Sequence, residues 1–164
     1  MTALAAAPNF NLNHIVGHPV ALSNYRGKQV VLVFSGRDST DQARQISRAI
    51  RSHHDSEALP IISILDLSGV PKMMHGFAKG RIQSGYQEVV RDATAMMQQQ
   101  GKQSPADPSR IIIMLPDWDG AVTTSYGLKD VDKQAIAVAV DGDGNIRGYC
   151  SGPQGGEQII ALFS

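Results

Sequence analysis

The run from Arg26 to Gln42 constrains this chain more than any other stretch. Val30 to Phe34 is an unbroken apolar segment, long enough for a strand buried on both faces and too short for the core of a helix. A polar turn follows. From Asp41 the period changes, with Ala43, Ile46, Ala49 and Ile50 at helical spacing and Arg44, Arg48 and Arg51 on the other side. The unit is strand, turn, helix. In such a unit the helix start aims free N–H groups and the positive end of its dipole at the turn, a common place for reactive groups in α/β proteins.

The flanking segments supply partners for this unit. Phe10 and Leu12, then Val20 and Leu22, alternate with polar neighbours around Gly17-His18-Pro19, the pattern of a small β-hairpin. His14 and His18 fall around its turn and are expected to be exposed. Leu59 to Leu67 and Arg110 to Leu115 read as two more buried strands. Pro71 is suited to a helix start, with Met73, Met74 and Phe77 on its apolar side. Ser84-Gly-Tyr-Gln87 is a capping box within a stripe through Ile82, Tyr86, Val89, Val90, Ala93, Met96 and Met97. Gly101 is placed to end it, so the middle of the chain is expected to hold one elongated or two-part helix. Val122 to Tyr126 reads as a short helix stopped by Gly127, and Trp118, before it, as a packing residue. Asp141-Gly-Asp-Gly144 joins Ala135–Val140 to Asn145–Cys150 as a hairpin, and Glu157 to Phe163 closes the chain as a helix. The same acidic turn resembles the start of a calcium loop, but that loop's closing glutamate would fall on Gly152.

A chain of 164 residues suits one domain with a real core. The expected division is an N-terminal extension over residues 1–7 and a single domain over 8–164. The formal net charge of zero argues against a general nucleic-acid or anionic-membrane surface, local patches apart. No apolar run approaches the roughly 20 residues of a membrane-spanning helix. Thr2 to Pro8 is rich in small residues, as at a signal-peptide cleavage region, with no charged or apolar region before it. The expected location is cytoplasmic if Met1 is native, or exported if a leader has been removed.

Pro8-Asn-Phe-Asn-Leu12 and Gly17-His-Pro-Val-Ala-Leu-Ser-Asn-Tyr-Arg-Gly-Lys-Gln-Val-Val-Leu-Val-Phe34 resemble the opening of the redoxin family, the alkyl hydroperoxide reductase and thiol-specific antioxidant group of the thioredoxin superfamily. Asp117-Trp-Asp-Gly-Ala-Val-Thr-Thr-Ser-Tyr-Gly-Leu128 and Ala137-Val-Ala-Val-Asp-Gly-Asp-Gly-Asn-Ile-Arg147 are similar to later motifs of that family, in the same order. The resemblance leaves out Ser68 to Ser109. It implies a thioredoxin-like α/β fold, with a mixed central sheet flanked by helices.

The family's chemistry does not come with the motifs. Aligned on Phe34, a thioredoxin C-x-x-C would fall on Ser39 and Gln42, and the peroxiredoxin P-x-x-x-T-x-x-C on Gly36, Thr40 and Ala43. Neither register contains a thiol, and thiol exchange needs a thiolate at the helix end. Ser39-Thr-Asp-Gln42 instead fits a capping box; as a nucleophile Ser39 would need an adjacent base, which the local sequence lacks. The family's cis-proline position falls on Ala135, where a trans peptide is expected. Cys150, the single cysteine, reads as a small buried residue at the end of a strand, on the face of Ile146 and Gly148.

The expected function is therefore a redox-silent redoxin homologue that binds a protein or small ligand at the turn formed by Gly36, Arg37, Asp38, Ser39, Thr40 and Gln42 with Ala135 opposite. No cofactor and no metal is expected. One alternative is a thiol antioxidant enzyme using Cys150. A second is copper binding by the methionines around His75, although copper-handling relatives use a C-x-x-x-C that is missing here.

Overall fold

The computed structural model describes residues 5–152 and 154–163; residues 1–4 of the expected extension lie outside them. Two short strands, β1 (Asn11–Asn13) and β2 (Pro19–Ala21), pair antiparallel as the expected hairpin. The central sheet has five strands in the order β5-β4-β3-β6-β7. Its members are β3 (Val30–Ser35), β4 (Ile61–Asp66), β5 (Ile112–Asp117), β6 (Ile136–Val140) and β7 (Ile146–Ser151). β3, β4 and β5 run parallel, whereas β6 pairs antiparallel with β3, and β7 with β6. All six residues of β3 are buried, as its unbroken apolar run requires of a strand covered on both faces.

Alternate residues of the strands build two cores. Leu32, Phe34, Ile62, Ile64, Ile113, Leu115, Val138 and Val140 pack on one face with Phe10, Val20 and Tyr126, beneath the hairpin and the short helix α3 (Ala121–Ser125). Val31, Val33, Ile61, Ala137 and Ala139 face the other way, against Ile46 and Ile50 of α1 (Thr40–His53) and Ile159 of α4 (Gly155–Leu162). A third cluster joins Tyr86 and Ala93 of α2 (His75–Gln99) to Ile112 and Ile15.

Four expectations need correction. α2 is the elongated helix expected, 25 residues long, but it passes through Ser84 without a break, so the capping box there caps nothing. Packing of Ile82, Tyr86 and Val89 on the third cluster outweighs the weak helix propensity of Gly76, Gly80 and Gly85. Pro71 precedes a 3₁₀ turn over Lys72–Met74 rather than starting the α-helix itself. Gly101, with φ of +76°, ends the element as expected.

His14 is buried, not exposed. Its Nδ1 accepts the Val16 N–H at 3.1 Å and its Nε2 donates to the Ile112 carbonyl at 3.1 Å. Its ring meets Tyr86 edge-on. Cys150 shares its face with Gly148 but not with Ile146, because a bulge between Ala139 and Val140 shifts the register of β6 against β7. Ile146 consequently joins the hairpin-side core and Cys150 the helix-side core.

Trp118 is half-buried and stacks on His75, with ring centroids 4.5 Å apart, as its expected packing role requires. At the end of α1, Arg51 is buried and its Nε has no hydrogen-bond partner in the structure. Burial lowers its guanidinium pKa to about 10, and the negative end of the helix favours a cation there.

Candidate functional site

The carboxyl ends of the parallel strands converge on the turn after β3, where open α/β sheets place their ligands. Gly36 and Ser39 are buried there, while Arg37, Asp38, Thr40 and Asp41 are exposed. Opposite lies the segment from Val131 to Ala135, which leads into β6. The Gln134–Ala135 peptide is trans, and among the described residues every peptide is.

The two positions that would carry a C-x-x-C are bonded to this opposite segment. Ser39 Oγ donates to the Val131 carbonyl at 2.5 Å and accepts the Gly36 N–H at 3.0 Å. Gln42 Oε1 accepts the Ala135 N–H at 3.0 Å, and the Ala135 carbonyl accepts the Gly152 N–H at 3.1 Å. Both ends of the expected capping box therefore face away from the helix, and Ser39 makes no side-chain cap bond. Burial decides between the two arrangements. The first turn of α1 opens to solvent at Thr40 and Asp41, so water can satisfy its N–H groups. Val131 and Ala135 are buried, and an unpaired carbonyl or N–H there would carry the full cost of desolvation.

Asp132 completes the closure. Its Oδ1 accepts the Arg37 N–H at 2.6 Å and lies so close over Gly36 that a Cβ built there would fall 1.7 Å from it. Gly36 thus marks a close approach between a carboxylate and the backbone. Sequence reasoning missed Val131 and Asp132, although Gly36 in a polar turn was a signal that something needed the space. Nothing local shows that the something lies 96 positions further on.

Gly36, Ser39, Gln42 and Ala135 therefore come together as expected, but as a sealed hydrogen-bonded seam. Arg37, Asp38 and Thr40 form its outer rim. Cys150 is not part of it. The thiol lies on β7 in the helix-side core, and burial raises its pKa above the ordinary value, which disfavours the nucleophilic thiolate. Neither feature suits a peroxidase. His75, central to the copper alternative, has its Nε2 hydrogen-bonded to the Val70 carbonyl at 3.1 Å. Among the described residues no three His, Cys, Asp or Glu side chains gather as metal ligands.

The AhpC/TSA family profile matches residues 4–65. The fold is thioredoxin-like. A thiol:disulfide interchange protein of the thioredoxin family from Chlorobium tepidum superposes with a TM-score of 0.59 at 12% identity, covering 100% of this chain and 99% of that one. A secreted Mycobacterium tuberculosis disulfide oxidoreductase homologous to E. coli DsbE gives 0.55 at 17% identity, with 94% of each chain covered. StoA from Bacillus subtilis gives 0.57 at 14% identity, covering 98% of this chain and 99% of its own. No curated protein matches. The resemblance to redoxins read from the sequence thus holds for the scaffold and for its N-terminal motifs, in a thioredoxin-like chain whose one cysteine lies elsewhere.

Proposed function

We propose that this thioredoxin-like chain acts by binding and not by thiol exchange, presenting Arg37, Asp38 and Thr40 as a contact surface for a protein partner. The observation that carries the reading is the seam itself: the two positions where thiols would stand are a hydroxyl and an amide, each engaged with the facing backbone. A closed seam leaves little room for a small molecule, whereas the exposed rim of charged side chains suits a protein surface. The rim does not depend on sulfur.

The test is direct. Purified protein should neither reduce insulin disulfides nor consume hydroperoxide, and Cys150→Ser should be indistinguishable from the parent. Turnover that disappears in Cys150→Ser would establish the thiol enzyme instead. A partner retained from cell extract by the parent and lost with Arg37→Glu would support the rim as the contact surface. As to location, the secreted nature of the M. tuberculosis neighbour favours the exported alternative.

A further inference from the structure

Six large apolar residues stand exposed among the described residues, and three of them, Met73, Met74 and Phe77, lie within five positions. Met73 is 89% exposed and Phe77 62%. Met73 lies in the 3₁₀ turn just before α2 and Phe77 in the first turn of α2, whose later residues Tyr86, Ala93 and Met97 are the ones buried. At helical spacing Phe77 points away from that buried stripe. A cluster of this kind on an otherwise ordinary surface marks a contact site.

Charge says what the contact is. From Leu67 to Gln87 there is no carboxylate side chain, while Lys72, Lys79 and Arg81 are cationic, in a chain whose net charge is zero. The Arg81 guanidinium lies 5.9 Å from the centre of the Phe77 ring, so cation and apolar group project together. The carboxylates that border this region and Trp118 in sequence are locally engaged: Asp66 accepts the Ser68 N–H, Glu88 pairs with Arg44, Asp117 accepts the Thr123 N–H and Asp119 the Ala121 N–H. Apolar side chains that protrude at a helix start, in a segment whose only charged side chains are Lys and Arg, match an anionic lipid surface, where the knobs enter the acyl boundary and the cations meet headgroups. A second copy of this chain would bring like charges together across a two-fold axis.

We propose that the segment Lys72–Arg81, the 3₁₀ turn and the first turns of α2, is a peripheral docking element for anionic membrane surfaces. It is separate from the seam at Ser39 and stands whether or not the rim binds a protein. Trp118, the only tryptophan, stacks on His75 beside this element and serves as a built-in reporter.

The experiment uses the whole chain with vesicles of phosphatidylcholine alone or mixed with phosphatidylglycerol, followed by co-sedimentation and Trp118 emission. Binding is expected only to the mixed vesicles, weakening with added salt. Met73→Ser with Phe77→Ser should lower the partition coefficient about tenfold or more, and Lys72→Gln with Arg81→Gln should remove most of the salt dependence. These side chains are exposed, so circular dichroism should show both double variants folded. No binding to mixed vesicles would overturn the proposal, as would parent-like binding by the serine variant. A dimer in light scattering that Phe77→Ser dissolves, without vesicle binding, would assign the patch to self-association and likewise overturn it.

Discussion

A hydroxyl and a thiol differ little in size, yet the hydroxyl of Ser39 is held by two buried backbone groups that a thiol would bond only weakly. Ser39→Ala should therefore destabilise the fold by about 1–3 kcal/mol, since it strands the Val131 carbonyl and the Gly36 N–H; urea unfolding checks this. His14 makes a second prediction. The Val16 N–H requires Nδ1 as an acceptor, so the bonded ring is the neutral form with its proton on Nε2. Burial is the largest of the influences that lower its pKa from the ordinary 6.5. The unfolded chain then binds more protons than the folded one, so stability present above pH 6.5 is lost as the pH falls through the depressed folded value. Unfolding free energies at pH 7.5 and 5.5 should show a drop in the parent that His14→Gln reduces. Neither role was legible in the sequence. A capping box names the residues able to bond locally but not a carbonyl 92 positions away that competes for the hydroxyl. A histidine beside a glycine turn looks like a surface residue until the edge of β5 is placed over it.

Elements were more legible than side-chain partners. The runs Val30–Phe34, Ile61–Leu65 and Ile112–Leu115 are buried strands because apolar residues in short blocks have no other way to leave water. The hairpin turn at Asp141 formed as its Asp and Gly residues indicated, with Asp141 Oδ1 accepting the N–H groups of Asp143 and Asn145. α2 was harder, since an internal Ser-x-x-Gln suggested a second helix start, and only the contacts of Ile82 and Tyr86 with the edge of the sheet show why it continues. That continuity makes a prediction. Gly76 and Gly80 have open space where a Cβ would go and carry no positive φ, so Gly76→Ala and Gly80→Ala should each stabilise the protein by about 0.5–1 kcal/mol, seen as a raised Tm. Loss of stability at either would mean that the first turns of α2 are not helical. The bulge at Ala139 is the opposite case: a one-residue shift leaves no mark in the alternation of β6, yet it decides which core receives Cys150.

Across the whole molecule, the sheet sets the thiol apart from the two surface features discussed. The sealed turn follows the carboxyl end of β3, and the segment that carries Met73 and Phe77 follows the carboxyl end of β4, so the two leave the same end of the sheet from different strands. The thiol is enclosed with Val31, Val33 and Ile159. Native protein should accordingly react with a thiol reagent such as dithionitrobenzoate far more slowly than protein unfolded in guanidinium, as measured by release of the chromophore; equal rates would place Cys150 at the surface. The seam also has a consequence for anyone wishing to engineer catalysis back into the scaffold. Installing cysteines at 39 and 42 would restore a familiar spelling while orphaning the amide of Ala135 and leaving Asp132 in the doorway above Gly36. The first residues to rewrite are those of the opposing bank, because sulfur delivered to a shut compartment has no substrate to meet.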